Sequence, residues 1–300
     1  KSLVKHINYL LDNSKIMYPI PTNTAVSLTN NKPIKAVVFD IYGTLLISSS
    51  GDIKEASLDK SSIIKALDAG NYVIVSELLE EKLDDILWDY SKTIIKHQNK
   101  IRSSEIPFPE IDIKKVWAEI IDLFINRNIL ATTKNSNLEK FIVTFEILSN
   151  PVYAMPQMLE TINYLANKKI PLGIVSNAQF YSPYIFNYFL KNPLKEDDMP
   201  PFDKDICVFS YKYSRGKPDI FLYNQLLPIF KNKYNIKPNE ILFIGNDMHK
   251  DIFAASEAGM RTALFAGDKR SLKPLKQNIK KITPDITITN LFQLTKIDKL

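Results

Sequence analysis

The chain has few of the residues on which several common kinds of functional site depend. Its 300 residues include one cysteine, three histidines and eight glycines. The single Cys207 excludes an intramolecular disulfide, and its place in a predicted strand indicates a buried structural thiol. The histidines do not have the spacing of a metal site. So few glycines leave little room for a phosphate-binding loop, a dinucleotide-binding pattern or a nucleophile elbow, and the sequence contains none of these motifs.

Long apolar runs are missing as well. The sequence contains no stretch of transmembrane length and no secretory signal pattern, so we expect a cytoplasmic protein without a membrane partner. The net charge of +6 comes mostly from lysines scattered among asparagines and isoleucines. Because no base-reading motif or basic helix accompanies that charge, we expect no nucleic-acid partner.

Asp40 is the most informative residue that is present. It follows the apolar run Ala36-Val37-Val38-Phe39, which is typical of a buried parallel strand. A carboxylate at the carboxyl end of such a strand lies where open α/β sheets bind their ligands. Gly43 permits a sharp turn whose amide groups can face an anion, and Thr44 adds a hydroxyl donor. The segment therefore suits a carboxylate nucleophile that attacks an anionic group.

Two further segments supply polar groups of the right kind. Ser176 and Asn177 follow the apolar run at 170–175, and both form hydrogen bonds without titrating. Lys217 precedes Pro218, which is well placed to begin a helix. A lysine there can reach a negative group as a compact cation.

The last informative segment follows the apolar run at 241–244. It contains Asn246, Asp247 and Asp251, and acidic residues at a strand end can hold a hard cation through oxygen. Each of these segments alone is compatible with an ordinary helix start or a solvated charge. Their recurrence at successive strand ends of one chain indicates a shared site.

In this order the segments resemble the motifs of the haloacid dehalogenase superfamily, whose members are mostly Mg²⁺-dependent phosphatases. The resemblance covers roughly residues 34 to 293. It implies an α/β fold with a doubly wound, Rossmann-like parallel sheet core and an inserted α-helical cap domain. It says little about the substrate, because one fold hosts many activities. The matching residues are Asp40-Ile41-Tyr42-Gly43-Thr44, Ser176-Asn177, Lys217, and Gly245-Asn246-Asp247 with Asp251.

The resemblance also implies a role for each matching residue. Asp40 would be the nucleophile and a Mg²⁺ ligand, and the Tyr42 backbone carbonyl would be a further ligand. Asp247 would supply the acidic ligand of the last motif, with Asn246 as the alternative because that motif aligns in two ways. Asp251 would orient Lys217 or a metal-bound water. The transferring phosphoryl oxygens would be held by Thr44, Ser176, Asn177 and Lys217.

Tyr42 occupies a catalytic position but departs from the phosphatase pattern. Phosphatases of the family usually have a second Asp there, which protonates the leaving group and then activates water. A tyrosine hydroxyl, with a usual pKa near ~10, is a poor general base at neutral pH. Tyr-Gly-Thr at this place is also similar to the 2-haloacid dehalogenases, which need no metal. Those enzymes, however, replace the metal acids with neutral residues and use an arginine soon after the first motif.

This chain keeps Asp247 and has no arginine before Arg102. We therefore expect a phosphatase that hydrolyses a small phosphate ester through an aspartyl-phosphate at Asp40. A 2-haloacid dehalogenase and a catalytically weak binding or regulatory relative are the alternatives.

The spacing of the motifs predicts a second domain. Well over a hundred residues separate Thr44 from Ser176, although a βα unit needs only about 30. Apolar periodicity predicts helices in the surplus over about 77–102, from about 112, and over 136–148. We assign residues 1–32 to an N-terminal arm, 33–47 and 150–300 to the hydrolase core, and 48–149 to the helical cap domain.

The cap leads to expectations about the substrate. A cap that excludes water favours a small phosphorylated molecule over a macromolecule. Asp52 in the first linker and His249 in the last motif are candidates for the missing acid. The arm either packs on the core or contributes to a dimer, so the sequence leaves open a monomer or a homodimer. One helix face of the arm would carry Leu3, Ile7, Leu10 and Leu11.

Overall fold

The apolar runs that precede the motifs form a parallel β-sheet. The computed structural model describes residues 2–49, 60–76, 79–192, 198–275 and 281–300. A six-stranded sheet has the order β10-β9-β8-β1-β6-β7 and is parallel throughout, as the sequence predicts. In chain order the strands are β1 (Ala36–Phe39), β2 (Leu46–Ser48), β3 (Val73–Ile74), β4 (Leu130–Ala131), β5 (Val152–Ala154), β6 (Leu172–Ser176), β7 (Cys207–Phe209), β8 (Ile241–Gly245), β9 (Arg261–Phe265) and β10 (Ile286–Ile288).

Helices cover both faces of this sheet. Along β1, Val37 and Phe39 pack into one hydrophobic cluster, and Ala36 and Val38 pack into another. This alternation follows from the two-residue period of a strand and explains why β1 is apolar at every position. The helices are α1 (Ser2–Asp12), α2 (Lys60–Ala69), α3 (Leu79–Ile101), α4 (Ile113–Asn126), α5 (Leu138–Ser149), α6 (Met158–Asn167), α7 (Ser182–Phe189), α8 (Ile220–Asn224), α9 (Leu227–Tyr234) and α10 (Ala254–Glu257).

Helices α2 to α5 form the predicted insertion. The antiparallel strands β2 and β5 lead into it and out of it, with Leu46 opposite Ala154. The predicted helices at 77–102, 112 onward and 136–148 correspond to α3, α4 and α5. As the sequence indicates, α5 has an asparagine N-cap, because the Asn137 side chain accepts a hydrogen bond from the Lys140 amide. Trp117 of α4 is fully buried and stacks on Tyr90 of α3. The insertion therefore has its own aromatic core.

The N-terminal arm packs on the rest of its own chain. Helix α1 contacts α5 and α7, and its buried residues include Ile7 and Leu11. Further along, Ser27 exchanges backbone hydrogen bonds with Thr287 of β10. Ile20 donates to the Asp268 carboxylate. Helix α1 of the arm therefore packs on its own chain, and the choice between a monomer and a homodimer stays a prediction.

One predicted helix is wrong in its details. The helix expected to begin at Pro218 begins at Ile220 instead, and the Asp219 side chain caps it by accepting from the Phe221 amide at 3.0 Å. It also divides into α8 and α9. Pro228 lies in the first turn of α9 and has no amide hydrogen to continue α8, so a single helix cannot form. Within the part of the chain that the structure describes, no helix is both long and apolar enough to cross a membrane.

Candidate active site

Polar residues from three loops meet at the carboxyl edge of the sheet. Strand β1 lies between β6 and β8, so Asp40 has neighbours from both. Ser176 ends β6, and Asn246 follows the end of β8. The position is the crevice in which open parallel sheets bind their ligands.

The loop after Asp40 is a tight turn. The Ile41 carbonyl accepts hydrogen bonds from the amides of Thr44, Leu45 and Leu46. Gly43 has a φ of 88°, a conformation that favours glycine. A Cβ at this position would lie 2.8 Å from the side-chain Nδ2 of Asn246. The turn is therefore pressed against the loop that follows β8.

A buried lysine joins two carboxylates at the centre of the site. The Lys217 ammonium lies 2.7 Å from Asp40 Oδ1 and 2.5 Å from Asp251 Oδ1. Asp40, Lys217 and Asp251 are 5%, 6% and 1% exposed. The contact between Asp251 and the Lys217 ammonium is the one through which Asp251 would orient Lys217.

Burial and charge act in opposite directions on these groups. Burial lowers the pKa of Lys217, but the attraction of Asp251 and Asp40 outweighs it, and the pKa lies above its usual value. The lysine is therefore protonated at neutral pH. Burial raises the pKa of Asp251, and Asp40 and Asp247 add to this, while Lys217 opposes it.

The neutral residues of the motifs connect the loops to one another. Thr44 Oγ1 donates to Asn246 Oδ1 at 2.9 Å, and Asn246 Nδ2 donates to the Ser271 carbonyl at 2.7 Å. Both ends of the Asn246 amide are thus used in binding protein groups. The Lys217 amide donates to Asn177 Oδ1 at 2.7 Å. Ser176 Oγ donates to the Asn177 carbonyl at 3.2 Å.

Asp247 begins the π-helical turn Met248–Phe253. Its Oδ1 accepts from the amides of His249 and Lys250, each at 2.8 Å. The Asp247 amide in turn donates to Asp251 Oδ2 at 3.0 Å. Asp247 therefore has one oxygen in a helix cap, whereas both polar ends of the Asn246 side chain are engaged. Between the two alternatives for a metal ligand, this geometry favours Asp247.

The Tyr42 side chain reaches the start of α7. Its hydroxyl donates to Ser182 Oγ at 2.8 Å in a buried position at the start of α7. Burial raises the pKa of Tyr42 well above its usual value, and the negative charges of Glu146 and Asp40 raise it further. Tyr42 therefore stays protonated at neutral pH and cannot act as a general base.

A cavity of about 470 Å³ lies between the core and the insertion. Lys217 and Asn177 line its core side, and Glu110 and Glu146 line its other side. Asp40 is not among the lining residues, and Lys217, which contacts it, faces the cavity instead. Lys217 therefore connects the cavity to the charged centre.

The segment around Glu110 joins the insertion to the Lys217 loop. The Glu110 amide donates to the Ser214 carbonyl at 3.1 Å, and the Gly216 amide donates to the Phe108 carbonyl at 2.7 Å. Glu110 Oε2 also accepts from Ser210 Oγ at 3.0 Å. These contacts hold the insertion against the core beside the site.

Two acidic residues of the cavity were not singled out from the sequence. Glu110 lies in a proline-rich break, where nothing marks it as buried. Glu146 carries a clearer signal, because it is the acidic residue within the apolar run Phe141–Leu148 of α5. Of the two candidates for the missing acid, His249 lines the cavity, and Asp52 lies outside the described residues.

Comparison with known proteins identifies the family. The model of the haloacid dehalogenase-like hydrolases matches residues 34–259. The chain belongs to this family. It is therefore a hydrolase by descent, as its motifs indicate, and Asp40, Lys217 and Asp251 fall within the matched region. No curated protein matches the chain in sequence.

Solved structures show the same fold at low identity. A 2-haloacid dehalogenase from Pseudomonas syringae pv. tomato DC3000 superposes with a TM-score of 0.53 and 18% identity over 88% of this chain and 97% of that one. The putative HAD-hydrolase YfnB from Bacillus subtilis, bound to magnesium, gives 0.50 and 16% over 90% and 100%. A predicted phosphoglycolate phosphatase from Haemophilus somnus 129PT gives 0.45 and 20% over 88% and 97%. Dehalogenases and phosphatases thus both occur among the similar structures.

Proposed function

We propose that this hydrolase is a phosphatase that acts on a small phosphate ester through an aspartyl-phosphate at Asp40. The contact between Asp40 and the buried Lys217 carries the proposal, because it places a nucleophile beside a fixed positive charge. Lys217 also lines the cavity, so it can hold a phosphoryl oxygen that enters from there. Asp251 keeps the ammonium in place from the other side.

The chemistry then follows from these positions. An Asp40 carboxylate oxygen attacks phosphorus, and the bond between phosphorus and the leaving oxygen breaks. Lys217 attracts the negative charge of the phosphoryl oxygens, which would otherwise repel the attacking carboxylate. Water then attacks the phosphorus of the aspartyl-phosphate and restores the carboxylate. As the family resemblance implies, Thr44, Ser176 and Asn177 would complete the polar wall of the site, and of these Asn177 lines the cavity.

The donor set around Asp40 suits Mg²⁺. The described residues contain no cluster of three or more His, Cys, Asp or Glu side chains, but Mg²⁺ commonly uses only one or two carboxylates together with water and phosphate. Asp40, Asp247 and the Tyr42 carbonyl would hold it. Leu46 pairs with the strand segment around Tyr42: its amide donates to the Ile41 carbonyl, and its carbonyl accepts from the Gly43 amide. The Tyr42 carbonyl takes no part in this pairing. When bound, the ion would polarise the phosphoryl group and neutralise its charge.

The cavity supports a small substrate. About 470 Å³ is within the usual range for a small-molecule pocket, and the insertion covers it from the side opposite the core. A phosphoprotein loop would have to displace the contacts between the Phe108–Glu110 segment and the Lys217 loop. We therefore propose a small phosphorylated metabolite as substrate.

A 2-haloacid dehalogenase is the second candidate. The observation that favours it is the Tyr42 hydroxyl, which is bound to Ser182 and cannot protonate a leaving group as an Asp would. A halide leaving group needs no proton. Against a dehalogenase, the chain has no arginine soon after the first motif. Its first arginine, Arg102, lines the cavity from an exposed position, and its guanidinium donates to the Pro107 carbonyl.

Hydrolysis of a panel of small phosphate monoesters, with Mg²⁺ and with EDTA, tests the proposal. We expect turnover that requires Mg²⁺ and is lost in Asp40→Asn. Asp205→Asn is the matched control, because this aspartate is half-exposed and contacts Lys233 rather than a motif residue. Chelator-insensitive release of halide from 2-haloacids would instead establish the dehalogenase. Binding of phosphate without turnover of either substrate class would indicate the binding or regulatory relative.

A further inference from the structure

We infer that Glu146 of the helical insertion is the acid–base residue of this phosphatase and replaces the carboxylate that the family usually has at the position of Tyr42. The inference rests on the proposed function. An ester with a poor leaving group needs a proton donor. Tyr42 cannot serve as that donor, because its hydroxyl donates to Ser182.

The position of Glu146 carries the inference. It lines the 470 Å³ cavity that also contains Lys217 and Asn177. It also lines a small second cavity of about 10 Å³, whose other walls include Tyr42 and Tyr181. Glu146 therefore lies between the larger cavity and the small one that Tyr42 lines. We therefore assign to this residue of α5 the role that a second Asp after Asp40 would otherwise have.

The other titratable groups of the cavity are less suited to this role. Lys217 is paired with two carboxylates. Arg102 is always protonated. Glu110 and Glu146 each accept two hydrogen bonds, but Ser210 holds Glu110 at 3.0 Å, which is closer than Tyr181 at 3.3 Å and Tyr90 at 3.5 Å hold Glu146. His249 is the remaining competitor, and the experiment below includes it.

The surroundings of Glu146 keep its carboxyl group poised for proton transfer. It is 5% exposed and accepts hydrogen bonds from the hydroxyls of Tyr181 at 3.3 Å and Tyr90 at 3.5 Å. Burial raises the pKa of Glu146 to about 7, and the polar hydrogens of Tyr181, Trp117 and Tyr90 oppose this rise. The Trp117 indole N–H makes no hydrogen bond among the described residues, so it acts only as a nearby dipole.

The charges around Glu146 also favour proton transfer by its carboxyl group. Its titratable neighbours are Tyr42, Tyr90 and Tyr181, and burial raises the pKa of all three, so they stay neutral at neutral pH. No ion pair holds Glu146 in its ionised form among the described residues. An acid with a pKa near the working pH is the most effective general acid and base.

The proton balance is simple. As Asp40 attacks phosphorus and the ester P–O bond breaks, the Glu146 carboxyl group gives its proton to the leaving alkoxide, which departs as the alcohol. The Glu146 carboxylate then takes a proton from the water that attacks the aspartyl-phosphate. Inorganic phosphate leaves, and both carboxyl groups return to their starting states.

Two esters of similar size but different leaving groups test the inference. The first turnover of 4-nitrophenyl phosphate needs no proton donor, because nitrophenolate is a good leaving group, whereas benzyl phosphate needs one. We expect Glu146→Gln to slow the first turnover of benzyl phosphate by about 10²–10⁴-fold and that of 4-nitrophenyl phosphate by less than about tenfold. The comparison of two substrates in one sample is insensitive to a partly misfolded variant. Glu110→Gln is the matched control and should affect both esters equally.

Other results would overturn the inference. An equal loss for both esters in Glu146→Gln would show that Glu146 only stabilises the insertion. A selective loss for benzyl phosphate in His249→Gln, with none in Glu146→Gln, would assign the role to His249. Wild-type protein that hydrolyses neither ester would overturn the proposed function, and the inference with it.

Discussion

Replacement of Lys217 by methionine tests whether two ionised carboxylates share one buried cation. Asp40 Oδ1 and Asp251 Oδ1 both contact the Lys217 ammonium, at 2.7 and 2.5 Å, so they are close to each other as well. Two unit charges about 5 Å apart repel by about 3 kcal/mol at an effective dielectric constant of about 20. Lys217→Met leaves that repulsion uncompensated. We expect it to lower the free energy of unfolding at pH 7 by about 3–5 kcal/mol.

The chain offers a matched control on its surface. Lys233 also contacts two aspartates, Asp203 at 2.6 Å and Asp205 at 2.8 Å, but its side chain is 45% exposed. Solvent screens that pair, and exposed ion pairs contribute little to stability. Urea unfolding of Lys217→Met and Lys233→Met at equal ionic strength compares the two environments directly. Equal destabilisation by the two substitutions would refute the argument from burial.

The pH dependence gives a second check. Without Lys217, the folded-state pKa of Asp251, which burial already raises, rises further above the unfolded value of about 3.9. A carboxyl group whose pKa is higher in the folded state destabilises the protein above that pKa, and the penalty disappears as the pH falls toward the unfolded pKa. The difference between wild type and Lys217→Met should therefore narrow from pH 7 to pH 4. A difference that widens on acidification would contradict the reasoning. Asp251→Asn in the Lys217→Met background should restore most of the loss.

Three further predictions concern the fold. Gly43→Ala should destabilise the protein by about 1–3 kcal/mol in urea, because its φ of 88° is strained for alanine. Gly216→Ala, whose Cβ meets nothing closer than 3.5 Å, is the control that should change little. Ile7→Ala should lower the unfolding free energy by about 2–5 kcal/mol, because Ile7 is fully buried. Tyr9→Ala on the exposed side of α1 should not, and equal effects would contradict the packing of the arm. Cys207 should react with iodoacetamide slowly when folded and rapidly in urea, because burial raises the pKa of its thiol; equal rates by mass spectrometry would contradict this.

The parallel sheet could be predicted from the sequence because its strands are apolar at every position. The runs before Asp40 and Asn246 are buried on both faces. A short continuous apolar run in the sequence predicts a strand that is buried in this way. The insertion could be predicted from its 3.6-residue period. The division between α8 and α9 could not, since the apolar pattern continues across it and only Pro228 marks the break.

The charged residues of the site could be predicted from the sequence, because lysines and aspartates at such positions have few other roles. A lysine and two aspartates at strand ends indicated a charged centre, and the structure brings Lys217, Asp40 and Asp251 together. The partners of the neutral residues were not predictable, because an asparagine such as Asn246 can bind a ligand or a neighbouring loop equally well. Glu146, for which we propose the acid–base role, was not predicted from the sequence for a similar reason. Its proximity to the core depends on how α5 packs, which no local pattern specifies.

The balance of charge at the site bears on the choice between the two candidate reactions. Two carboxyl groups, on Asp40 and Asp251, contact the one ammonium of Lys217, and Asp247 donates its amide hydrogen to Asp251. A phosphate ester adds further negative charge beside Asp40, and self-repulsion of that size would oppose binding unless a cation joins it. A 2-haloacid is also an anion, and an enzyme that binds it without a metal gains nothing from an additional aspartate at 247. Under the proposed function, Asp247 would hold, together with Asp40, a divalent cation that arrives with the phosphate, whereas a halide displacement without metal would leave Asp247 without a role.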